Sequence, residues 1–139
     1  MYVTKNKSGF TLLEIIIVII IVGVLASLAL PQFTSVIERS RGGEALNNLS
    51  ALRGAMVRCG FVNNGVYTTC AMGSLDVAQP GTAANASFTY TVAGSGGSFT
   101  VTATRNTANN GDGTSTVFIT QNDTAATVTK GGTGVFLGI

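Results

Sequence analysis

Three sets of residues in this chain could do chemistry: Glu14, set inside a run of apolar residues, the pair Cys59 and Cys70, and a few scattered acids. Acid–base catalysis needs titratable groups poised beside one another, and the 139 residues contain no histidine. Asp76 stands alone, and Asn109-Asn110-Gly111-Asp112 lacks the ordered carboxylates and closing glutamate of an EF-hand loop. Two cysteines without histidine make a poor zinc site. The inventory therefore points away from an enzyme and implies no cofactor and no metal. For the cysteines two readings stay open: a disulfide if this part of the chain is exported, two buried thiols if it is not. A bridge closing so short a loop stabilises by roughly 2–3 kcal/mol.

Glu14 is the only charge between Phe10 and Leu30, a stretch of 21 residues. At about 1.5 Å per residue, a helix of this length runs roughly 30 Å and can cross a hydrocarbon core. The run is too long for the apolar part of a secretory signal, and no small-residue cleavage site follows it. A charge at a bilayer centre costs about 2.5–3.5 kcal/mol on insertion scales, so an acid inside such a helix usually has a partner. Alternatively, one turn from the helix end, it could snorkel to the interface or favour the positive helix terminus.

The elements that position these groups follow from periodicity. Gly23 interrupts the apolar run and Pro31 ends it, predicting a bend or local loosening there with the helix continuing beyond. Across 32–59, Phe33, Val36, Ile37, Leu46, Leu49, Leu52, Met56 and Cys59 recur mainly at three- and four-residue steps, an amphipathic helix covering a sheet. Gly42-Gly43 lies midway and marks a second bend or a close approach between subunits. Residues 60–86 read as an irregular connection with turns at Asn63-Asn64-Gly65 and Pro80-Gly81. In 87–139, Phe88-Thr89-Tyr90-Thr91-Val92 alternates as a half-buried strand does, and Phe99, Val101 and Ala103 resume the pattern after a glycine-rich hairpin. Val117–Thr120 is a third strand, with weaker candidates at Thr127–Thr129 and Val135–Leu137. The expected fold is α+β: a long N-terminal helix, membrane-spanning in its first half and amphipathic in its second, packed on an antiparallel sheet of three to four strands.

Lys7-Ser8-Gly9-Phe10-Thr11-Leu12-Leu13-Glu14 and the Ile/Val/Leu run after it resemble the class III signal of type IV pilins and pseudopilins. The match is specific over roughly residues 5–31 and general beyond them. The resemblance implies a leader, residues 1–9, cut after Gly9 by a prepilin peptidase that also N-methylates Phe10. It implies that 10–31 form the transmembrane and filament-core helix, and that Glu14 pairs with the Phe10 amine of a neighbouring subunit during assembly. It places a proline like Pro31 inside one long curved helix.

The implied partners are copies of the same chain in a helical filament, the peptidase and methyltransferase, an inner-membrane assembly platform, and lipid before assembly. The implied location is the bacterial inner membrane, then a cell-surface pilus serving adhesion, motility or DNA uptake. Type II secretion pseudopilins share the signal, but their major subunit usually carries an acidic calcium loop near the C-terminus. Here Thr124–Ile139 contains Lys130 and no acid. A third reading is a monomeric, membrane-anchored binding module that keeps its leader. Without Lys5 and Lys7 the eight basic residues become six, equal to the six acids, so no basic surface for specific nucleic-acid binding is evident.

Overall fold

Residues 9–139 are described in the computed structural model, Pro31 by its backbone alone; the expected leader, Gly9 excepted, lies outside them. One helix, α1, runs from Leu12 to Val62, 51 residues. Thr11 caps it, its hydroxyl accepting the Glu14 backbone N–H at 3.2 Å. At the other end Asn64 takes a left-handed conformation (φ 54°), and the Gly65 N–H closes back on the Gly60 carbonyl at 2.8 Å. This 6→1 bond satisfies a carbonyl that the helix end would otherwise orphan. The helical backbone is continuous through Gly23 and Pro31. The chain divides into two compact units, with the boundary between Val36 and Ile37.

In the second unit a four-stranded antiparallel meander follows a connection that contains one short turn of helix, Met72–Ser74. Its strands are β1 (Phe88–Ser95), β2 (Ser98–Arg105), β3 (Thr116–Asn122) and β4 (Thr127–Gly132), in that spatial order. Ser95 pairs with Ser98, so the first hairpin turns on Gly96-Gly97 alone. Phe88, Tyr90, Phe99, Val101, Ala103, Val117 and Ile119 point to one face and form a single core with Ala45, Leu49, Leu52 and Met56 of α1. The other face is a field of threonines, where Thr100 and Thr120 hydrogen-bond across the strands at 2.9 Å.

Two expectations need correction. Val135–Leu137 is not a strand: Gly134, at φ 61°, starts a 3-10 turn over Gly134–Phe136 that delivers Phe136 fully buried into the core. Burial of one aromatic there outweighs the local β propensity. The amphipathic stripe also begins later than its spacing suggests, because Phe33 and Val36 are exposed and burial starts around Ala45.

Gly42 is a close approach within the chain. A Cβ there would stand 2.7 Å from Ile139 Cδ1 and 3.1 Å from Phe136 Cδ1, whereas one on Gly43 would meet nothing within 4 Å. Gly42→Leu should therefore lower stability by about 1–3 kcal/mol through overpacking against the immobile Phe136 ring. Gly43→Ala should raise it by roughly 0.5–1 kcal/mol through helix propensity. Chemical denaturation of the two variants in detergent checks the opposite signs.

Candidate functional site

Gly9 and Phe10 precede the helix, and Glu14 lies in its first turn. All three are exposed, Phe10 by 80%. Thr11, which sequence reading passed over, is what fixes this geometry: a Thr-x-x-Glu sequence opens the helix and sets Glu14 at the third helical position. The carboxylate thus lies at the positive helix terminus, where an anion is favoured. From Leu12 to Leu30 the large apolar side chains are exposed all round the helix. Gly23 has open space where a side chain would be. By length and composition this helix can cross a membrane. An uninterrupted apolar surface of this size is costly in water and requires lipid or other helices around it.

The second unit carries three polar devices. Cys59, in the last turns of α1, is disulfide-bonded to Cys70, their Cα atoms 6.0 Å apart, which settles the choice between bridge and thiols. The Asn63 side chain donates to the Cys59 carbonyl at 2.9 Å and holds the turn against the bridge. Among the described residues no three His, Cys, Asp or Glu side chains gather as metal ligands would.

Arg105 is the second device. Its guanidinium is enclosed and donates to Glu38 (Nε to Oε2, 3.1 Å; Nη2 to Oε1, 3.3 Å). It also donates to the carbonyls of Ser87, Asn106, Ala108 and Asn109, at 2.9, 3.1, 3.0 and 3.0 Å. Arg41 adds bonds to Glu38 at 2.6 Å and to the Asn109 carbonyl at 2.8 Å. The Arg105 hydrogen bond is the main reason the Glu38 carboxyl titrates below its ordinary value. The strand pattern gave no sign of this: Arg105 continues the inward positions of β2, where an apolar residue is the default.

The third device joins Tyr67 to the end of β3 and the turn after it. Its hydroxyl donates to Asp123, Gln121 donates to the same carboxylate at 2.6 Å, and Arg53 of α1 donates to Gln121 at 2.7 Å. Burial, then the bond to Asp123, pushes the Tyr67 phenol up to about 12. Asp112 accepts from the Ser115 hydroxyl and from the backbone N–H groups of Ser115 and Thr114, which hold it at about 2.

These shifts give the fold two pH-dependent contributions of opposite sense. A phenol raised above its ordinary value near 10 contributes stability fully present below about pH 10 and lost as pH climbs through about 12. A carboxyl depressed to about 2 contributes stability present above its ordinary value and lost as pH falls through about 2. Tertiary circular dichroism should therefore stay flat from about pH 5 to 9. Tyrosinate absorbance should show one phenol ionising near pH 12, together with loss of structure.

Residues 4–30 match the family described as the prokaryotic N-terminal methylation motif. The chain is 42% identical over 64 residues to a "Probable minor fimbrial protein" of Dichelobacter nodosus, a stretch covering 46% of this chain and 39% of that protein. It is 38% identical over 65 residues to "Type II secretion system core protein G" of Aeromonas hydrophila, covering 47% and 46%. It is 41% identical over 51 residues to a "Fimbrial protein" of Pseudomonas aeruginosa, covering 37% and 33%. The chain thus matches a third to just under half of each relative's length. Taken with one long helix, apolar in its first half and packed through Ala45–Met56 on a four-stranded antiparallel sheet, the methylation motif and these relatives support the type IV pilin family, pilins and pseudopilins together, as the family of this chain.

Proposed function

We propose that this chain is a structural subunit of a type IV pilus, cut after Gly9, N-methylated at Phe10 and polymerised into a helical filament on the cell surface. The observation that carries the reading is the opening of α1: a capped helix start that places one carboxylate, Glu14, a turn inside an exposed apolar surface of membrane length. Before assembly that surface is solvated by inner-membrane lipid. In the filament, neighbouring helices replace the lipid, and Glu14 meets the Phe10 amine of the next subunit. A charge pair enclosed in a helix bundle fixes register, because only one stagger satisfies both groups. The helix around Gly23 and Pro31, where one glycine and one proline weaken the ladder, bends or loosens as the copies pack.

The fimbrial relatives support a pilin, and the match to a secretion-system protein supports the pseudopilin alternative. The first is favoured by the C-terminal segment, where β4 and the Gly134–Phe136 turn carry Lys130 and no carboxylate for a cation. The chain is then a major subunit, assembled by an inner-membrane platform and serving adhesion, motility or DNA uptake.

Mass spectrometry and electron microscopy of protein sheared from the cell surface test the reading. A chain starting at N-methylated Phe10, two hydrogens lighter for the Cys59–Cys70 bridge, in long filaments is the expected result. A full-length chain found only in membranes contradicts it and favours the anchored, monomeric module.

A further inference from the structure

The 37–139 unit keeps two exposed apolar patches that its own core leaves uncovered. One lies at the last turn of α1, where Phe61, 86% exposed, lines a cleft of about 510 Å³ whose rim includes Asp123, and the next residue, Val62, is 83% exposed. The other lies toward the opposite end of the same unit. There Gly43 and Leu46 of α1 and Val135 and Leu137 of the C-terminal segment line a cleft of about 270 Å³, with Arg39 at its edge and Leu137 79% exposed.

We propose that these patches are the two halves of one contact between copies of this chain. The Phe61 ring of one copy seats against the Gly43 floor of another, and the Asp123 rim faces Arg39. The inference rests on the filament reading above and specifies which surfaces of the second unit meet.

Three observations select a second copy as the occupant. The patches carry opposite charges at their rims, and among the described residues Arg39 forms no ion pair inside its own chain. Their shapes are complementary: a projecting aromatic ring at one, and at the other a hollow over a glycine where a Cβ would meet nothing within 4 Å. Their separation also suits a polymer. A patch that paired with its own copy would close a two-fold dimer, whereas two different patches at opposite ends join head to tail, which gives an open helical polymer wherever the rotation does not close a ring.

Phe61 and Gly43 are 18 residues apart in one helix, so the contact sets the two copies about 27 Å apart along α1. A pairing of the Phe10 amine with Glu14 needs only about one helical turn of stagger, roughly 5 Å. The two contacts therefore bind different neighbours, and together they tie the filament both to near and to more distant subunits.

Paired cysteines in intact filaments test this. Val62→Cys with Leu137→Cys in one chain should, on mild oxidation of sheared filaments, give a ladder of covalent multimers, while either substitution alone gives at most a faint dimer. Asn64→Cys with Val135→Cys reads the same contact should the first pair disturb assembly. Filaments that form normally with both pairs, react fully with a thiol reagent and yet give no ladder overturn the proposal while leaving the filament reading standing. Absence of filaments from the unsubstituted chain overturns the reading on which it rests, and the proposal with it.

Discussion

Glu14→Ala should abolish surface filaments while leaving membrane insertion and removal of residues 1–9 unchanged. Insertion depends on the apolar stretch 10–31, which the substitution makes more apolar, and the proposed cleavage depends on the Gly9–Phe10 junction, which it leaves intact. The loss falls on assembly alone. In the proposed filament each subunit brings a Phe10 amine into a helix bundle, and without Glu14 that amine is left charged and unpaired among Ile, Val and Leu side chains. Removing one member of an enclosed ion pair costs about 3–5 kcal/mol, which lowers subunit affinity by at least a hundredfold at every step of growth. Glu14→Gln keeps the shape and a hydrogen-bond acceptor but loses the charge, and should fall between the two. Immunoblots of sheared and membrane fractions read the outcome. An unchanged filament yield from Glu14→Ala would remove the assembly role and leave Glu14 as a helix-terminus charge.

The largest effect on the second unit should come from Arg105→Ala, with a loss of about 3–5 kcal/mol. Arg105 is 1% exposed, and its removal deprives Glu38 of its enclosed partner and takes one donor from each of the carbonyls of Ser87, Asn106, Ala108 and Asn109, of which Ser87 keeps the Asn106 N–H, Ala108 the Gly111 N–H and Asn109 the Arg41 guanidinium. Arg41 retains its bond to Glu38, which places the expected loss toward the lower end of that range. Small domains are stable by only about 5–15 kcal/mol, so the variant should melt many degrees earlier and fray first at the 106–115 loop. Arg105→Lys should recover only part of the loss, because an ammonium cannot reproduce the planar fork that holds a carboxylate and several carbonyls at once. Arg58→Ala is the control: that pair with Asp76 is fully solvated and should contribute little. Near-ultraviolet circular dichroism of the full chain in detergent measures all three. Equal behaviour of Arg105→Ala and Arg58→Ala would show that the enclosed guanidinium does not organise the loop.

What could be read from the sequence was whatever repeats or stands out locally. The alternation of Phe88, Tyr90 and Val92, and of Phe99, Val101 and Ala103, specifies strands because the side-chain period of a strand is two. The apolar run from Phe10 to Leu30 specifies a helix because hydrocarbon leaves a backbone no other partner but itself. The helix–sheet core from Ala45 to Met56 follows the same periodic logic. The polar devices were not legible, because each joins residues far apart in the chain: Arg105 to Glu38, Tyr67 to Asp123, Arg53 to Gln121. An arginine at an inward strand position was the one available signal for the first. Val135–Leu137 misled for a related reason, since its β-branched and aromatic residues suit a strand until Phe136 finds a core position that only a turn at Gly134 can reach. At the candidate site, Glu14 stands out as the one charge in the apolar run, whereas the roles proposed for Gly9, Phe10 and Glu14 come from the resemblance to the class III signal. The Thr11 cap was equally present as Thr-x-x-Glu and was overshadowed by the hydrophobic run behind it.

The central claim is that the apolar half of α1 builds a filament core in which Glu14 meets the amine of a neighbouring Phe10. A high-resolution electron-microscopy map of filaments sheared from the cell surface measures this directly. The expected result is helices of residues 10–31 bundled on the axis, with each Glu14 carboxylate within ion-pairing distance of the Phe10 nitrogen of an adjacent copy. A filament whose axis excludes these helices, or in which Glu14 faces solvent away from any amine, would contradict it.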